Sequence, residues 1–355
     1  MDPYFPIIMT QNMLLCLVTI CFICHNSILG KRDKRAFYLP LILGALITVC
    51  DFVGTVTVDR PELVWLQCVA NSLNLSLTPM LPTIPILIIA KSQKAKVAAL
   101  LPSLINLLLL IGGQLYTVHS DGSYHRDPLF LVFTTVYLFN MLHLAYRSMT
   151  FSVHHQNHNI SGLLLICLFM LSSTTIQIRL PQIHLSWFCV SVTVLLYFIY
   201  YTDVLQQMDA LTGLLNRNSF RNYCAKHKRR ISGIVMIDMD GFKEINDTYG
   251  HLVGDEFLAA FGKGILRSYK RCGNCYRLGG DEFCILMGRS SSHSNAEKAA
   301  GELESYCKHL WDLPCPIAFS YGYQSFHKGM DINECIALAD KNMYALKVAK
   351  KAARE

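Results

Sequence analysis

Charged side chains are scarce in the first 204 residues of this 355-residue chain. That part holds 11 Lys or Arg and 8 Asp or Glu, whereas residues 205–355 hold 21 and 17. In soluble globular domains about a quarter of the residues are charged. The shortage excludes an ordinary soluble domain for residues 1–204, and the change in composition predicts a domain boundary near Thr202.

About seven apolar stretches fill this first part, each long enough to cross a hydrocarbon layer of ~30 Å. They cover residues 7–29, 37–58, 63–89, 97–118, 128–149, 160–178 and 184–201. The third stretch contains Pro79, Pro82 and Pro85, which a membrane helix accommodates only with a kink or with substitute hydrogen bonds. We expect an all-α, multi-pass membrane domain over residues 1–204.

Basic residues are distributed unevenly among the predicted loops. Eight Lys or Arg follow the first, third and fifth stretches, and three follow the second, fourth and sixth. Because cytoplasmic loops carry the excess of Lys and Arg, we expect the N-terminus outside and residues 205–355 in the cytoplasm, at the plasma or inner membrane. The start of the chain lacks the basic region and the A-x-A-like site of a cleaved signal peptide, so none is expected.

Two further chemistries lack the residues that they need. Basic and aromatic side chains do not interleave as in readers of single-stranded nucleic acid, so we expect no nucleic-acid partner. Fourteen cysteines follow no regular spacing, and Cys272-Gly-Asn-Cys275 has no second pair to complete a tetrahedral zinc site. In a cytoplasmic domain these residues are expected to be reduced thiols.

The second part alternates apolar, β-rich runs with runs of helical periodicity. Residues 233–237 predict a buried strand, residues 276–278 and 283–287 predict a hairpin around Gly279-Gly280, and residues 316–323 predict a further strand. Helices are expected over 253–266 and 332–351. This order predicts an α+β sandwich of the split βαβ type with an antiparallel hairpin at its centre.

Acidic clusters stand at two of these strand ends. Asp238-Met239-Asp240 follows the first strand, and Asp281-Glu282 follows the glycines of the hairpin. Hard divalent cations prefer oxygen ligands and commonly combine one or two carboxylates with substrate phosphates. If the two ends converge, they form a Mg²⁺ site for a nucleotide.

Several ordered blocks from Asp209 onward resemble the GGDEF-domain diguanylate cyclases. The resemblance covers essentially all of residues 205–355 and implies a ferredoxin-like, nucleotidyl-cyclase palm fold with a central antiparallel sheet. The matching blocks are DALTGLLNR at 209–217, DMDGFKEINDTYGH at 238–251, Gly254-Asp255, RLGGDEF at 277–283, Ser320-Tyr-Gly322, and Ala339-Asp340 leading to Tyr344.

This resemblance implies the condensation of two GTP molecules into cyclic di-GMP with release of two pyrophosphates. It implies a head-to-tail homodimer in which each domain presents one GTP to the other. Asp238, the carbonyl of Met239 and Asp281 are expected to ligate Mg²⁺, or Mn²⁺. Glu282 is expected to add a metal contact or to activate the 3′-hydroxyl, and Lys243 to lie near the phosphates.

Guanine recognition is expected from residues in the blocks at 238–251 and 254–255. Asn246 and Asp255 match the guanine-reading positions of the family, and Phe242 is expected to contact the substrate nearby. A carboxylate suits guanine because the base offers two donors, its N1–H and its N2 amine. Relatives that make mixed adenine–guanine dinucleotides carry Ser in place of this carboxylate, so Asp255 favours two guanines.

Phosphate binding is expected from the last helix and from the hairpin. Lys347 and Lys351 match the pair that holds the outer phosphates, and Lys351 stands where many relatives have Arg. A lysine supplies a point charge without bidentate geometry. Gly279 and Gly280 are expected to let the hairpin backbone approach the nucleotide without a Cβ in the way.

One site of the family is missing. Many members carry an R-x-x-D pair that holds a product dimer and inhibits the enzyme, and the corresponding residues here are Lys270 and Gly273. We therefore expect weak or absent product inhibition.

The first part contains no recognisable enzyme or transporter motif and is typical of a sensory input with an unknown ligand. Asp51 lies inside the second apolar stretch, where an ionisable group is costly and is a functional candidate; it serves either a ligand or ion site or a structural partner. The alternative to a regulated cyclase is a membrane receptor with a GTP-binding GGDEF domain that does not turn over. A transporter with a regulatory tail is a third alternative.

Overall fold

The chain divides into two compact units, Met1–Asp203 and Val204–Glu355. The computed structural model describes residues 4–90, 92–154, 160–179, 185–310 and 313–353. Each unit has its own architecture. The first is built from helices and the second from a sheet with helices on both faces.

The first unit consists of apolar helices and a small hairpin. The elements are α1 (Phe5–His25), α2 (Lys31–Val56), α3 (Val64–Leu77), α4 (Met80–Ile89), α5 (Gln93–Ile111), β1 (Tyr116–Val118), β2 (Tyr124–Arg126), α6 (Phe130–His154), α7 (Ile160–Arg179) and α8 (Ser186–Gln206). Among the described residues, α1, α2, α5 and α8 are long and apolar enough to cross a membrane. The sequence did not predict the hairpin of β1 and β2, because its first strand reads as the end of an apolar stretch.

The predicted number of membrane helices, about seven, is not confirmed exactly. The third stretch, residues 63–89, forms two helices, α3 and α4, that meet at Thr78 and Pro79. Pro79 has no N–H to continue the helical ladder. Asn106 Nδ2 on α5 donates to the carbonyl of Leu75 at 2.9 Å, the acceptor that an N–H at position 79 would serve, so a side chain replaces the missing hydrogen bond, as membrane helices require.

Polar side chains join the helices of this unit. Asn12 Nδ2 donates to Thr48 Oγ1 at 2.8 Å between α1 and α2. Asn140 on α6 donates to Thr83 Oγ1 on α4 and to Ser103 Oγ on α5, both at 3.0 Å. Such interhelical bonds are typical of helices that pack in an apolar solvent, where the hydrophobic effect does not drive association.

The second unit is built on a four-stranded antiparallel sheet. The elements are α9 (Arg217–His227), β3 (Ile231–Met239), α10 (Phe242–Tyr249), α11 (His251–Tyr269), β4 (Gly273–Gly279), β5 (Glu282–Gly288), α12 (His293–Lys308), β6 (Phe319–Ser325) and α13 (Ile332–Ala352). The strand order is β4-β5-β3-β6, with every neighbouring pair antiparallel. This is the α+β sandwich with a central antiparallel sheet that the sequence predicts, and the prediction is confirmed.

The sheet separates two hydrophobic cores. Val235 and Ile237 face α11 and α12, where Phe261 is fully buried against them. Ile234 and Met236 face α9 and α13 on the other side. Because successive side chains of a strand point to opposite faces, the next residue in this second series, at position 238, lies on the α13 face.

Candidate active site

The acidic residues at the ends of β3 and β5 lie side by side. Asp238 and Glu282 are cross-strand partners in the β3–β5 register. Asp281 lies in the turn before β5, and its carbonyl accepts a hydrogen bond from Met239 N at 3.3 Å. Gly280 in the same turn has φ 49°, a left-handed conformation that glycine adopts without steric cost. The two predicted strand ends therefore meet.

Lys347 on α13 completes this group. Its Nζ donates to Asp238 Oδ1, and their side chains are 39% and 13% exposed. The contact follows from the alternation along β3, which points Asp238 at the helix that packs on that face. A residue predicted to bind phosphate thus lies against a carboxylate predicted to bind metal.

The carboxylates repel one another, and their pKa values show it. Burial is the main cause that raises the pKa of Asp238; the hydrogen bond and the charge of Lys347 oppose this rise, and the charges of Asp281 and Asp240 add to it. Burial and then the charges of Asp238 and Asp281 raise the pKa of Glu282. Burial alone would lower the pKa of Lys347, but its bond to Asp238 and the nearby carboxylates raise it.

Three charged residues near this group were not assigned a role from the sequence. The carboxylate of Asp240 accepts two hydrogen bonds from Ser320 Oγ, at 2.8 and 3.1 Å. Arg217 and Asp340 act electrostatically on Glu282 with opposite signs. Each of the three lies in a sequence block that resembles the family, and this position in a block is the feature by which the sequence could have pointed to it.

An ion pair connects the first block of the resemblance to the turn. Arg277 donates to the Gly280 carbonyl through Nε at 3.0 Å and Nη2 at 2.8 Å. Its Nη1 donates to Asp209 at 3.1 and 3.3 Å, and Asp209 also accepts from Thr212 N and Oγ1. This fork of hydrogen bonds fixes the turn that carries Asp281.

The predicted guanine-reading residues lie where α10 and α11 meet. A Cβ on Gly254 would be 2.0 Å from Asn246 Oδ1 and 3.5 Å from the ring of Phe242, so both side chains lie directly against this glycine. Asp255 follows it and is exposed on α11. The close approach of the two helices keeps the side chain of Asn246 against Gly254, the residue that precedes Asp255.

Lys243 and Lys351 stand apart from the acidic group. Both are exposed, Lys243 in the first turn of α10 and Lys351 in the last turn of α13. Lys350, its neighbour, instead donates to the carbonyl of Phe319 at 2.5 Å. The two exposed ammonium groups are available for phosphate, and the first turn of a helix, with its unpaired N–H groups, is a favourable place for an anion.

The donor set fits a divalent cation. Asp238 and Asp281 are close enough for each to raise the pKa of nearby carboxyls, and the ammonium of Lys347 already supplies a positive charge at Asp238. Among the described residues, no three His, Cys, Asp or Glu side chains form a metal site alone. Mg²⁺ takes much of its coordination from substrate phosphates and water.

Comparison with known proteins identifies the second unit. A family profile described as "Diguanylate cyclase, GGDEF domain" matches residues 206–353. These residues form a GGDEF domain. The match covers every element that contributes to the acidic group, from the segment before Asp209 to the end of α13.

Curated relatives and solved structures resemble the same part of the chain. Diguanylate cyclase DgcN of Escherichia coli (strain K12) is 32% identical over 148 residues, 39% of this chain and 36% of DgcN. Diguanylate cyclase DgcS of Shewanella oneidensis is 30% identical over 151 residues, 40% of this chain and 49% of DgcS. The GGDEF domain of DgcB from Caulobacter crescentus, solved in complex with c-di-GMP, is 25% identical with a TM-score of 0.37, covering 40% of this chain and 91% of that one. The chain thus spans between about a third and a half of the length of these two curated relatives.

Proposed function

We propose that the protein is a membrane-bound diguanylate cyclase that condenses two GTP molecules into cyclic di-GMP and two pyrophosphates. The observation that carries the proposal is the meeting of Asp238, Asp281, Glu282 and Lys347 at one edge of the sheet. Curated relatives named diguanylate cyclases match the GGDEF domain that contains this group.

Each part of the site has a role in the proposed reaction. Asp238, Asp281 and the carbonyl of Met239 would hold Mg²⁺ or Mn²⁺, with Glu282 as a further ligand or as the base for the 3′-hydroxyl. The bound cation supplies positive charge that stabilises the charge developing on the transferred phosphoryl group. The raised pKa of Glu282 brings it closer to the range in which a carboxylate accepts a proton efficiently near neutral pH.

The lysines and the two helices would bind the nucleotide. Lys243, Lys347 and Lys351 would pair with the phosphates, and Lys347 would exchange Asp238 for a phosphate oxygen when GTP and the cation enter. Asn246 and Asp255 would read the guanine edge. Phe242, Gly279 and Gly280 would line the approach to the nucleotide.

The reaction requires two copies of the domain. One GTP in each copy would present its 3′-hydroxyl to the α-phosphate of the other, so a homodimer is the proposed active form. Residues 1–204 would act as the membrane input domain with the N-terminus outside, and residues 205–355 as the cytoplasmic catalytic domain under its control. The four helices of membrane-spanning length and apolarity support the membrane location.

The test is turnover by the full-length protein in detergent micelles. We expect GTP and Mg²⁺ to give cyclic di-GMP and pyrophosphate in a 1:2 ratio, and chelation of Mg²⁺ to stop the reaction. Asp281→Ala should abolish the product. Asp331→Asn, which removes a carboxylate from the exposed position before α13, is the matched control and should retain the activity.

Binding of GTP without product by the folded dimer would refute the cyclase and favour the receptor alternative. Loss of activity in Asp331→Asn would show that the assay reports general damage rather than the site.

A further inference from the structure

The helical unit contains a cavity of about 460 Å³. Its walls come from α2, α3, α6, α7 and α8 and from strand β2 of the hairpin. Exposed residues at its edge include Arg126 and Leu131, so the cavity opens at the hairpin end of the helices. A volume of this size is typical of small-molecule sites.

One wall of the cavity is polar although it lies among apolar helices. Asp51 on α2 and Gln67, Asn71 and Asn74 on α3 line it. Asn74 Nδ2 lies 3.5 Å from Asp51 Oδ1, so the amide and the carboxylate form one continuous polar surface. In an apolar environment, polar groups of this kind are costly unless they are paired.

Gln67 is the residue that points to a ligand. It is fully buried, and within the described part of the chain neither its Oε1 nor its Nε2 has a hydrogen-bond partner. A buried amide whose oxygen and nitrogen are both unpaired destabilises the fold, because both groups lose their hydrogen bonds to water without replacement. The arrangement fits a molecule in the cavity that offers one donor and one acceptor.

The wall near the mouth carries the opposite charge. Arg126 is the only Lys or Arg among the residues that line the cavity, and its guanidinium lies 4.7 Å from the centre of the Phe130 ring. The described residues include no carboxylate that forms an ion pair with it. Phe133, Tyr137 and Trp187 supply aromatic surface between the two walls.

The hairpin that carries Arg126 is fixed to the helices. Tyr116 OH on β1 bonds Ser72 Oγ at 2.7 Å and donates to the Cys68 carbonyl at 2.9 Å, both on α3. Asp59 N donates to the Gly122 carbonyl at 3.2 Å. The cation at the mouth is therefore held in a defined position relative to the polar wall on α3.

We propose that this cavity binds a small zwitterionic molecule with an apolar body, of the amino-acid class. Asp51 receives its cationic group, Arg126 its anionic group and Gln67 its remaining hydrogen bonds, while the aromatic side chains cover the apolar body. The carboxylate of Asp51 and the guanidinium of Arg126 line the same cavity, and this pair of opposite charges is complementary to a ligand that carries both charges. The proposal does not depend on cyclase activity.

The helix that closes the cavity also leads to the second unit. Ser186, Trp187 and Val190 of α8 line the cavity, and α8 continues without interruption to Gln206. A ligand in the cavity therefore contacts the same helix that enters the GGDEF domain.

The test uses purified full-length protein in detergent micelles without GTP, so its result is independent of catalysis. The probes are L-phenylalanine and 6-aminohexanoate, which hold their two charges close together and far apart. Phenethylamine and 3-phenylpropionate are the controls with one charge each. We expect at least one zwitterion to raise the melting temperature by about 2 °C or more and to bind in calorimetry, and neither control to match it.

Three variants locate the site. Asp51→Asn and Arg126→Gln should each weaken binding of the zwitterion by roughly tenfold or more, because each removes a charged partner. Asp59→Asn makes the same change outside the cavity at a left-handed position that asparagine tolerates, and it should bind normally.

Gln67→Leu separates binding from structure. Without ligand its melting temperature should equal or exceed that of the wild type, because it removes two unpaired buried atoms, yet the rise on adding the zwitterion should be lost. The proposal is overturned if neither zwitterion binds, if a control with one charge binds as well, or if Gln67→Leu keeps the full response.

Discussion

The GGDEF domain and the helical unit place their charged groups in different surroundings. In the GGDEF domain, Asp238 and Glu282 lie at an accessible edge of the sheet with Lys347 against them. In the helical unit, Asp51 lines an internal cavity beside the unpaired amide of Gln67. The first group is a set of charges that partly neutralise one another, and the second is a set of polar groups on the wall of a cavity, of which Gln67 has no hydrogen-bond partner among the described residues.

This difference shows how much of each site a linear motif can describe. The residues of the acidic group lie in short blocks at fixed spacing, since each block forms a strand end, a turn or one helix turn. The cavity draws single residues from five helices and a hairpin, and no block of sequence contains more than a few of them. The four predictions that follow compare the two surroundings, beginning with the largest expected effect.

Asp238→Asn should lower the rate of cyclic di-GMP formation about 10³-fold, because a lost metal ligand removes several kcal/mol of charge stabilisation. It should not lower the melting temperature at pH 7. The raised pKa of Asp238 means that its ionisation weakens the fold as pH rises through that pKa, and Asn removes this cost. Product assays and calorimetry on the same preparation check both parts.

Binding of the zwitterion by the cavity of the helical unit is the control for this variant. Asp238→Asn should bind the zwitterion as the wild type does. A lower melting temperature, or a lost response to the zwitterion, would contradict the separation of the two sites.

The lack of space for a side chain at Gly273 should prevent a variant with the product-binding pair of the family from binding cyclic di-GMP there. A Cβ at this position would be 2.0 Å from the Leu286 carbonyl oxygen and 2.8 Å from Met287 Cα, so a side chain requires the backbone of β5 to move. We expect Lys270→Arg/Gly273→Asp to cost about 3 kcal/mol of stability and to remain insensitive to low-micromolar cyclic di-GMP. Lys270→Arg alone, which changes the residue at the end of α11, should be as stable as the wild type.

Initial rates with added cyclic di-GMP check this prediction. Strong inhibition of the wild type would show that product binds without the pair. Strong inhibition of a stable double variant would show that β5 accommodates the side chain.

Asp209→Asn should destabilise the GGDEF domain by about 2 kcal/mol at pH 7, because it breaks a charge-assisted fork. Burial alone would raise the pKa of Asp209, but its bonds to Thr212 and Arg277 lower it. A lowered pKa stabilises the fold above the unfolded-state value of about 3.9 and loses that effect as pH falls through the folded-state value. The difference between wild type and variant should therefore shrink below about pH 4.

Thermal unfolding at pH 7 and at acidic pH measures this dependence, with Asp331→Asn as the control for a lost exposed carboxylate. A difference that persists unchanged at acidic pH would mean that the ion pair to Arg277 is not its source.

Asn140→Ala should have the smallest effect, about 1 kcal/mol of destabilisation of the helical unit, because interhelical hydrogen bonds in membrane proteins are individually weak. The change breaks bonds to Thr83 and Ser103. Asn140→Ala should lower the melting temperature, whereas Gln67→Leu without ligand should leave it equal or higher, although both variants replace a buried amide. Thr10→Val, which removes an exposed hydroxyl bonded only within α1, is the control in the same thermal assay. Equal signs for the two amide variants would contradict the assignment of Gln67 to a ligand.

Much of the GGDEF domain could be predicted because its signals are local. The buried strand before Asp238, the glycine turn at Gly280 and the final helix are each encoded in under about 20 consecutive residues, within the range where period and turn chemistry are informative. The role of Arg277 could not be predicted in this way. Its partners, Asp209 and the Gly280 carbonyl, are brought together only when the first block folds against the hairpin.

The helical unit was predictable in composition and less so in detail. Apolar length indicates helices, yet the division of the third stretch into α3 and α4 at Pro79 depends on Asn106 of α5, which donates to the Leu75 carbonyl. The hairpin of β1 and β2 was missed because three residues such as Tyr116–Val118 are apolar enough to read as a continuation of α5. Its closure depends on contacts to α3 and to Asp59 that are distant in sequence.

The sequence by itself determined the two-part composition of the protein, the helices of its first part, the sheet of its second, and the blocks that mark a GGDEF domain. Only the tertiary structure decided that Lys347 meets Asp238, that Arg277 fixes the turn, and that Asp51, Gln67 and Arg126 share one cavity. The reason is physical: periodicity, turn chemistry and hydropathy act between near neighbours in the chain. The hydrogen bonds from Asn74 to Asp51, from Arg277 to Asp209 and from Lys347 to Asp238 join residues 23, 68 and 109 positions apart, and only packing brings them together.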